Sequence, residues 1–207
     1  MSRGTFARMA WHYTIADYVR LEERSNVKHE YIRGEIRVMG AGAEDDREIR
    51  EMGGGTIEYA RIGIAVAYLL TDQLRGRPCA VYSSDARVRV VASDLITYPD
   101  LVVCCGSVQQ DVDDRCAIIN PRVVVEVTSS SSESYNRGGK LDHYKLVPSI
   151  LDVVIVSHRD RSIEVHHRTE EGEWTIERGG PGESVHVSSI GCVLDVDAVY
   201  HDPLAAS

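Results

Sequence analysis

Two stretches in the middle of the chain are apolar without alternating: Leu101-Val102-Val103-Cys104-Cys105, and Val123-Val124-Val125-Glu126-Val127. Runs of this length, rich in Val and bounded by turn residues, predict strands. Neither alternates apolar with polar residues, so both faces of each should be covered, as at the centre of a sheet carrying helices. Leu151 to Val156 has the same two-faced character. Elsewhere the pattern alternates. His29-Glu30-Tyr31-Ile32 and Glu35-Ile36-Arg37-Val38-Met39, around Arg33-Gly34, predict a hairpin. Ala80 to Tyr82 and Ala86 to Val90 predict two further strands, the second with Arg87 and Arg89 on one side. A turn over Ala92 to Thr97 should make that second strand the antiparallel neighbour of the one beginning at Asp100. Ser162 to His167 and Trp174 to Glu177 read as more exposed strands, separated by the turn Glu170-Glu171-Gly172.

Helical spacing is strongest over Thr56 to Leu74, where Ile57, Ala60, Ile64, Ala67, Tyr68 and Leu74 recur at three and four residues. Thr56 can cap this helix, and Gly76 and Pro78 stop it. A shorter helix is predicted from Thr14, with Asp17 three residues on as a capping partner. Another runs over Arg137 to Leu146, ended by Pro148. Gly40 to Gly55, Gly-rich at both ends and charged at its centre, reads as a long loop. Cys192 to Tyr200 is apolar enough to dock on the body. Ser129 to Ser132 is the only low-complexity run, most simply a loop leading to the Arg137–Leu146 helix.

Length and composition narrow the classes. The 207 residues suffice for one domain with a sizeable core and would cramp two, so a flexible arm over 1–12 and one domain over 13–207 are expected. With 43% hydrophobic and 27% charged residues, the chain is neither disordered nor membrane-embedded in composition. No apolar run approaches the roughly 20 residues that span a bilayer. The first ten residues lack the apolar core of a signal peptide, so a cytoplasmic location is expected. Five Cys, an odd number without a C-x-x-C, read as small core hydrophobes with no disulfide framework. The net charge of −9 opposes strong sequence-independent binding to nucleic acid, though a local basic surface remains compatible with it.

The chemistry concentrates on Glu126. Side chains alternate along a strand, so Glu126 points where Val124 points. A buried carboxylate is costly unless it is paired, protonated or bound to a metal. Asp100 opens the neighbouring apolar strand, and two acids on adjacent central strands call for a cation between them. Other motifs are missing. Gly53-Gly54-Gly55 lacks the Lys-Ser/Thr of a phosphate-binding loop, and no G-x-S-x-G, H-E-x-x-H or zinc-type Cys/His spacing occurs. His166 and His167 adjoin on one strand and so point oppositely.

In order, the middle of the chain reads helix, strand, strand, strand, helix, strand, with Asp opening the second strand, Glu late in the third and Lys on the next helix. This order resembles the core of the PD-(D/E)XK nuclease superfamily. More narrowly, the chain resembles a bacterial family of candidate restriction endonucleases long filed as a domain of unknown function. The matching phrases are Tyr31-Ile32-Arg33-Gly34-Glu35-Ile36, Ser83-Ser84-Asp85-Ala86-Arg87-Val88, Tyr98-Pro99-Asp100, Glu126-Val127-Thr128-Ser129, and Gly138-Gly139-Lys140-Leu141-Asp142-His143-Tyr144. They run from about Tyr13 to Tyr200.

The resemblance implies an α/β, restriction-endonuclease-like fold: a mixed curved sheet flanked by helices, with an N-terminal hairpin and additional C-terminal strands. It implies an endonuclease using Mg²⁺, with Mn²⁺ as substitute, on DNA, and it admits a homodimer. Asp100, Glu126, Lys140 and Glu58 become the expected catalytic residues, and Asp100, Glu126 and the carbonyl of Val127 the metal ligands. The chain departs from the pattern at four places. Thr128 stands where the Lys two residues after the Glu usually lies, which moves that role to Lys140. Tyr59 stands where relatives often have His, and Asn136 where they commonly have Asp. The Gly40 to Gly55 loop is longer and more acidic than the usual connection. Two other readings stay open: an inactive nuclease-fold protein serving as a binding or assembly module, and an RNA or nucleotide phosphodiesterase.

Overall fold

The computed structural model describes residues 12–39, 57–128 and 136–204. Nearly all of the expected arm, the Gly40–Gly55 loop, the Thr56 cap and the serine run lie outside the described residues. Helix α1 (Ile15–Glu22) begins as predicted. The Thr14 side chain accepts from the Asp17 N–H, and the Asp17 carboxylate reaches back to the Thr14 N–H, closing a capping box. Strands β1 (His29–Ile32) and β2 (Glu35–Val38) form the predicted hairpin. Its two turn residues, Arg33 and Gly34, both have positive φ (49° and 84°), the twist that a two-residue hairpin loop requires.

Helix α2 (Ile57–Gln73) lies where its periodicity predicts, but it turns a different face to the core. Ile62, Val66 and Leu70 are buried, as is Leu74 of the predicted stripe just past the helix end, whereas Ile57, Ile64 and Tyr68 of that stripe are exposed, Ile64 at 73%. Both stripes have helical spacing and the helix is apolar on more than one side, so spacing alone could not choose between them.

Eleven more strands and two short helices follow. β3 (Cys79–Ser83), β6 (Leu101–Cys105), β8 (Val123–Thr128), β9 (Asp152–Ser157), β10 (Ile163–Arg168) and β11 (Trp174–Gly179) build the main sheet, in the order β11-β10-β9-β8-β6-β3. β8 and β9 run parallel, and every other pair in this sheet is antiparallel. Between β8 and β9 the chain passes through a π-helical turn (Asn136–Lys140) into α3 (Leu141–Lys145). The second sheet joins the hairpin to β4 (Arg87–Val90), β5 (Leu95–Thr97) and β7 (Ala117–Ile118), in the order β2-β1-β5-β4-β7. β12 (Ser184–Val187) and β13 (Cys192–Asp195) pair separately, and α4 (Val196–Tyr200) follows.

The main sheet is covered on both faces, as its unbroken apolar runs require. On one face Val103, Val125, Val127, Val154 and Val156 pack with Ile62, Val66 and Leu70 of α2 and with β12, β13 and α4. On the other, Val102, Val124, Val153 and Ile155 meet Leu141 and Tyr144 of α3 together with Val88, Val90 and Leu95 of the second sheet.

Three expectations need correcting. β4 does not neighbour the strand after Asp100. Asp94, at positive φ (53°), turns the chain so that Leu95–Thr97 itself pairs with β4, and past Pro99 the chain leaves for the other sheet. β10 is largely buried rather than exposed, because β11 lies outside it on the sheet edge. The cysteines are not all free. Cys79 and Cys105 sit directly opposite each other on β3 and β6 and form a disulfide.

That bond yields a test. Unfolded, unreduced protein is expected to show three reactive thiols, Cys104, Cys116 and Cys192, rather than five. Closing a loop of 26 residues stabilises by about 3 to 4 kcal/mol on the chain-entropy estimate. Reduction, or Cys79→Ala with Cys105→Ala, should therefore lower the melting temperature by roughly 10 °C. Five thiols in the unreduced protein would refute the pairing.

Candidate active site

Pairing between β6 and β8 reaches Leu101 opposite Val125 and stops. Asp100, the residue before β6, therefore meets backbone that has lost its strand partner. The N–H of Val127 donates to Asp100 Oδ2 at 2.7 Å. The Tyr59 hydroxyl, from the first turn of α2, donates to Oδ1. In a strand, one residue's N–H and C=O address the same neighbour, so the Val127 carbonyl lies on the edge that Asp100 occupies.

Glu126 lies on the other face from Val125 and Val127, which point at α2. It is 3% exposed, and three donor contacts meet its carboxylate. Lys140 Nζ donates to Oε1 at 3.0 Å and to Oε2 at 3.3 Å, and the Tyr144 hydroxyl donates to Oε1 at 2.5 Å. Lys140 and Tyr144 are four residues apart, one turn of helix, and so share a face. Lys140 itself is buried. A third acid, Glu30 of β1, is buried and accepts from Thr97 Oγ1 at 2.7 Å. Its charge acts on both Lys140 and Tyr144.

Burial governs the titration of this cluster. Burial, aided by the Asp100 charge and opposed by Lys140, pushes the Glu126 carboxyl up to about 7. Burial likewise raises Asp100, although the Tyr59 and Val127 hydrogen bonds and the charges of Lys140 and Lys28 favour its ionised form. For Lys140 burial opposes the ammonium, but the charges of Glu126 and Glu30 outweigh it and hold the pKa above the ordinary lysine value. Lys140 is therefore a fixed cation at neutral pH.

Three of the four expected catalytic residues thus come together: Asp100, Glu126 and Lys140. Glu58 does not join them. It pairs with Arg61, whose guanidinium also donates to the Tyr200 and His201 carbonyls at the end of α4. Its neighbour Tyr59 makes the contact to Asp100 instead. Thr128 is buried on the strand position two residues after Glu126. The Asn136 side chain lies outside the described residues. Arg87 and Arg89 are buried, on Asp114 and Asp94 respectively. Among the described residues no group of three or more His, Cys, Asp or Glu converges on a common point that could hold a metal.

Sequence reasoning missed Glu30 and Tyr144. A Lys–Tyr pair at four residues was a visible signal for the second, since such pairs share a helix face. Glu30 had a weaker one. It alternates with Tyr31 in a strand, but nothing in the sequence says that this hairpin folds against α3.

The family model for Uma2, described as "Putative restriction endonuclease", matches residues 15–197. The uncharacterized protein slr1290 of Synechocystis sp. is 32% identical over 184 residues, covering 89% of this chain and 89% of its own length. A second uncharacterized protein of that organism, sll1609, is 23% identical over 164 residues, 79% of this chain and 85% of its own. A crystal structure from Anabaena variabilis, described as a putative nuclease belonging to DUF820, superposes with a TM-score of 0.66. It is 16% identical and is covered over 97% of its length and 90% of this chain, which shows a shared fold.

The electrostatics predict a pH dependence. Glu126 titrates near 7 in the folded protein and near 4.5 when unfolded, so between these values the folded state holds more protons. Its contribution to stability is full below about 4.5 and is lost as pH rises through about 7. In EDTA, wild-type protein is expected to lose stability over that window relative to Glu126→Gln. Thermal melts at half-unit steps from pH 5 to 8 measure the difference, and parallel curves for the two proteins would show that burial does not raise this carboxyl.

Proposed function

The chain belongs to the Uma2 family of putative restriction endonucleases, and from that membership we propose that it is a Mg²⁺-dependent endonuclease hydrolysing phosphodiester bonds of DNA. One arrangement carries the reading. Asp100 and Glu126 come from antiparallel neighbours at the point where their ladder ends, with the Lys140 ammonium on Glu126.

The donors suit a hard divalent cation. They are all oxygens, and Mg²⁺ prefers such ligands and retains several waters, so it needs no group of three protein side chains. The Lys140 charge acts on both Asp100 and Glu126, and burial still raises both acids, so a further positive charge would be stabilising there. Asp100, Glu126 and the Val127 carbonyl would hold the ion. When bound, it supplies positive charge to the phosphoryl oxygens and lowers the pKa of a water.

The chain's own groups do the rest. Tyr59 and the Val127 N–H fix both oxygens of Asp100, and Tyr144 fixes one oxygen of Glu126. Lys140, held protonated, contributes charge to the developing phosphorane-like oxygens rather than accepting a proton. Glu58, engaged by Arg61, stands outside the proposed set. The second reading, a binding or assembly module on the same fold, is favoured by Thr128 at the usual lysine position and by Tyr59 in place of His.

Asp100→Ala and Glu126→Ala should each abolish Mg²⁺-dependent nicking of plasmid DNA, and Lys140→Gln, which removes the charge, should lower the rate by about 10²- to 10³-fold. Contaminant-free wild-type protein that cuts no DNA with Mg²⁺ or Mn²⁺ would favour the second reading, and cutting of RNA alone would move the substrate.

A measurement independent of cleavage accompanies these. Asp100→Asn removes one of two like charges, and Tyr59 can turn its hydroxyl to accept from the new amide. In EDTA the variant should therefore melt above wild type. Mg²⁺ at a hundredfold excess over its dissociation constant should stabilise wild type by about 2.7 kcal/mol and the variant by much less. A lower melting point for the variant, with neither protein responding to metal, would separate the two acids.

A further inference from the structure

Lys28 takes no part in the site as described, yet it stands at its edge. It directly precedes β1, and the hairpin ladder extends to it, since the Met39 N–H donates to its carbonyl at 2.9 Å. Two residues along extended backbone point the same way, so Lys28 shares a side with Glu30, whose carboxylate faces Lys140. Lys28 Nζ donates to the Ser84 carbonyl at 2.8 Å and to Ser84 Oγ at 3.1 Å, in the turn between β3 and β4. It lies 5.3 Å from the centre of the Tyr98 ring, two residues before Asp100. Its remaining partner is Asp85 Oδ1 at 2.9 Å, from a side chain 84% exposed, while 40% of the lysine side chain is itself exposed.

Two cations act on Asp100, Lys140 and Lys28. The first is buried and spends both of its hydrogen bonds on Glu126. The second is held by neutral oxygens and by one solvated carboxylate that a stronger anion can displace. A chain carrying net charge −9 needs local positive charge wherever a phosphodiester approaches its acids.

Resting on the endonuclease reading above, we infer that Lys28, with the Ser84 hydroxyl beside it, is the phosphate-binding point of the site. A non-bridging oxygen of the DNA backbone takes the place of Asp85 on the ammonium and is thereby held next to Asp100. The Tyr98 ring face holds the Lys28 ammonium beside the site, and Asp85 acts as a weak internal competitor for the cation.

The test is binding of a fluorescent 30-base-pair duplex, by anisotropy between 50 and 200 mM KCl, for wild type, Lys28→Gln, Lys28→Arg and Asp85→Asn. Lys28→Gln should weaken binding uniformly across duplex sequences and reduce the slope of log affinity against log salt by about one. Lys28→Arg should restore the slope. Asp85→Asn should tighten binding, because it removes the competitor and a repelling charge. A lysine that merely pins the hairpin to the Ser83–Asp85 turn predicts otherwise: Lys28→Gln and Asp85→Asn both lower the melting point and neither changes the slope. That pattern overturns the inference while leaving the endonuclease reading in place. Wild-type protein that binds no duplex overturns both. If Lys28→Gln fails to fold, the Asp85→Asn arm decides alone, tighter binding supporting the inference and unchanged binding overturning it.

Discussion

A carboxyl group placed among valines at the end of β8 dictates much of what surrounds it. Glu126 cannot stay ionised there without donors, and it has no solvent to supply them. Lys140 and Tyr144 provide them from the turn that enters α3 and from α3 itself, which packs on the sheet. That helix is short, it is entered through a π-helical turn, and its apolar residues Leu141 and Tyr144 reach the same core that the second sheet closes. Without the lysine the buried carboxyl would have to take up a proton, because the charge that favours its ionised form would be gone. The polar contact and the apolar packing therefore enforce the same placement.

Much of this was legible because strand and helix signals in the centre of the chain are strong. Unbroken valine runs can only be covered strands, and a Glu inside one of them marks a site without further information. The order of elements then placed Asp100 and Lys140 beside it through the resemblance. What failed was what a one-dimensional pattern leaves undetermined. Helix α2 has two apolar stripes, and which one faces inward depends on the neighbours that Val103, Val125 and Val127 present. Leu95–Thr97 is too short to register as a strand until Asp94 turns the chain. The Cys79–Cys105 bond depends on the β3–β6 register, which no spacing rule reports at a separation of 26 residues.

The departures from the superfamily pattern also find local explanations. Thr128 fills the strand position with a small buried side chain, and the ammonium arrives from the π-helical turn that enters α3 instead. Tyr59 keeps contact with Asp100 through a hydroxyl that cannot exchange a proton near neutrality, since burial raises its pKa further above the ordinary tyrosine value. Asp100 is thus oriented by a donor that stays protonated near neutrality.

Lys140 and Tyr144 have one more consequence, for the dynamics of the protein. Both sit within a single turn of the chain, so the site cannot lose one of them without loosening the other. Any partial opening that lifts α3 from the sheet exposes Glu126 to water and dissolves the site in the same event. The amides of α3 should then exchange with solvent together, in one cooperative unit. The carboxylate cluster therefore has no half-assembled form, and it is complete only while this short helix is docked.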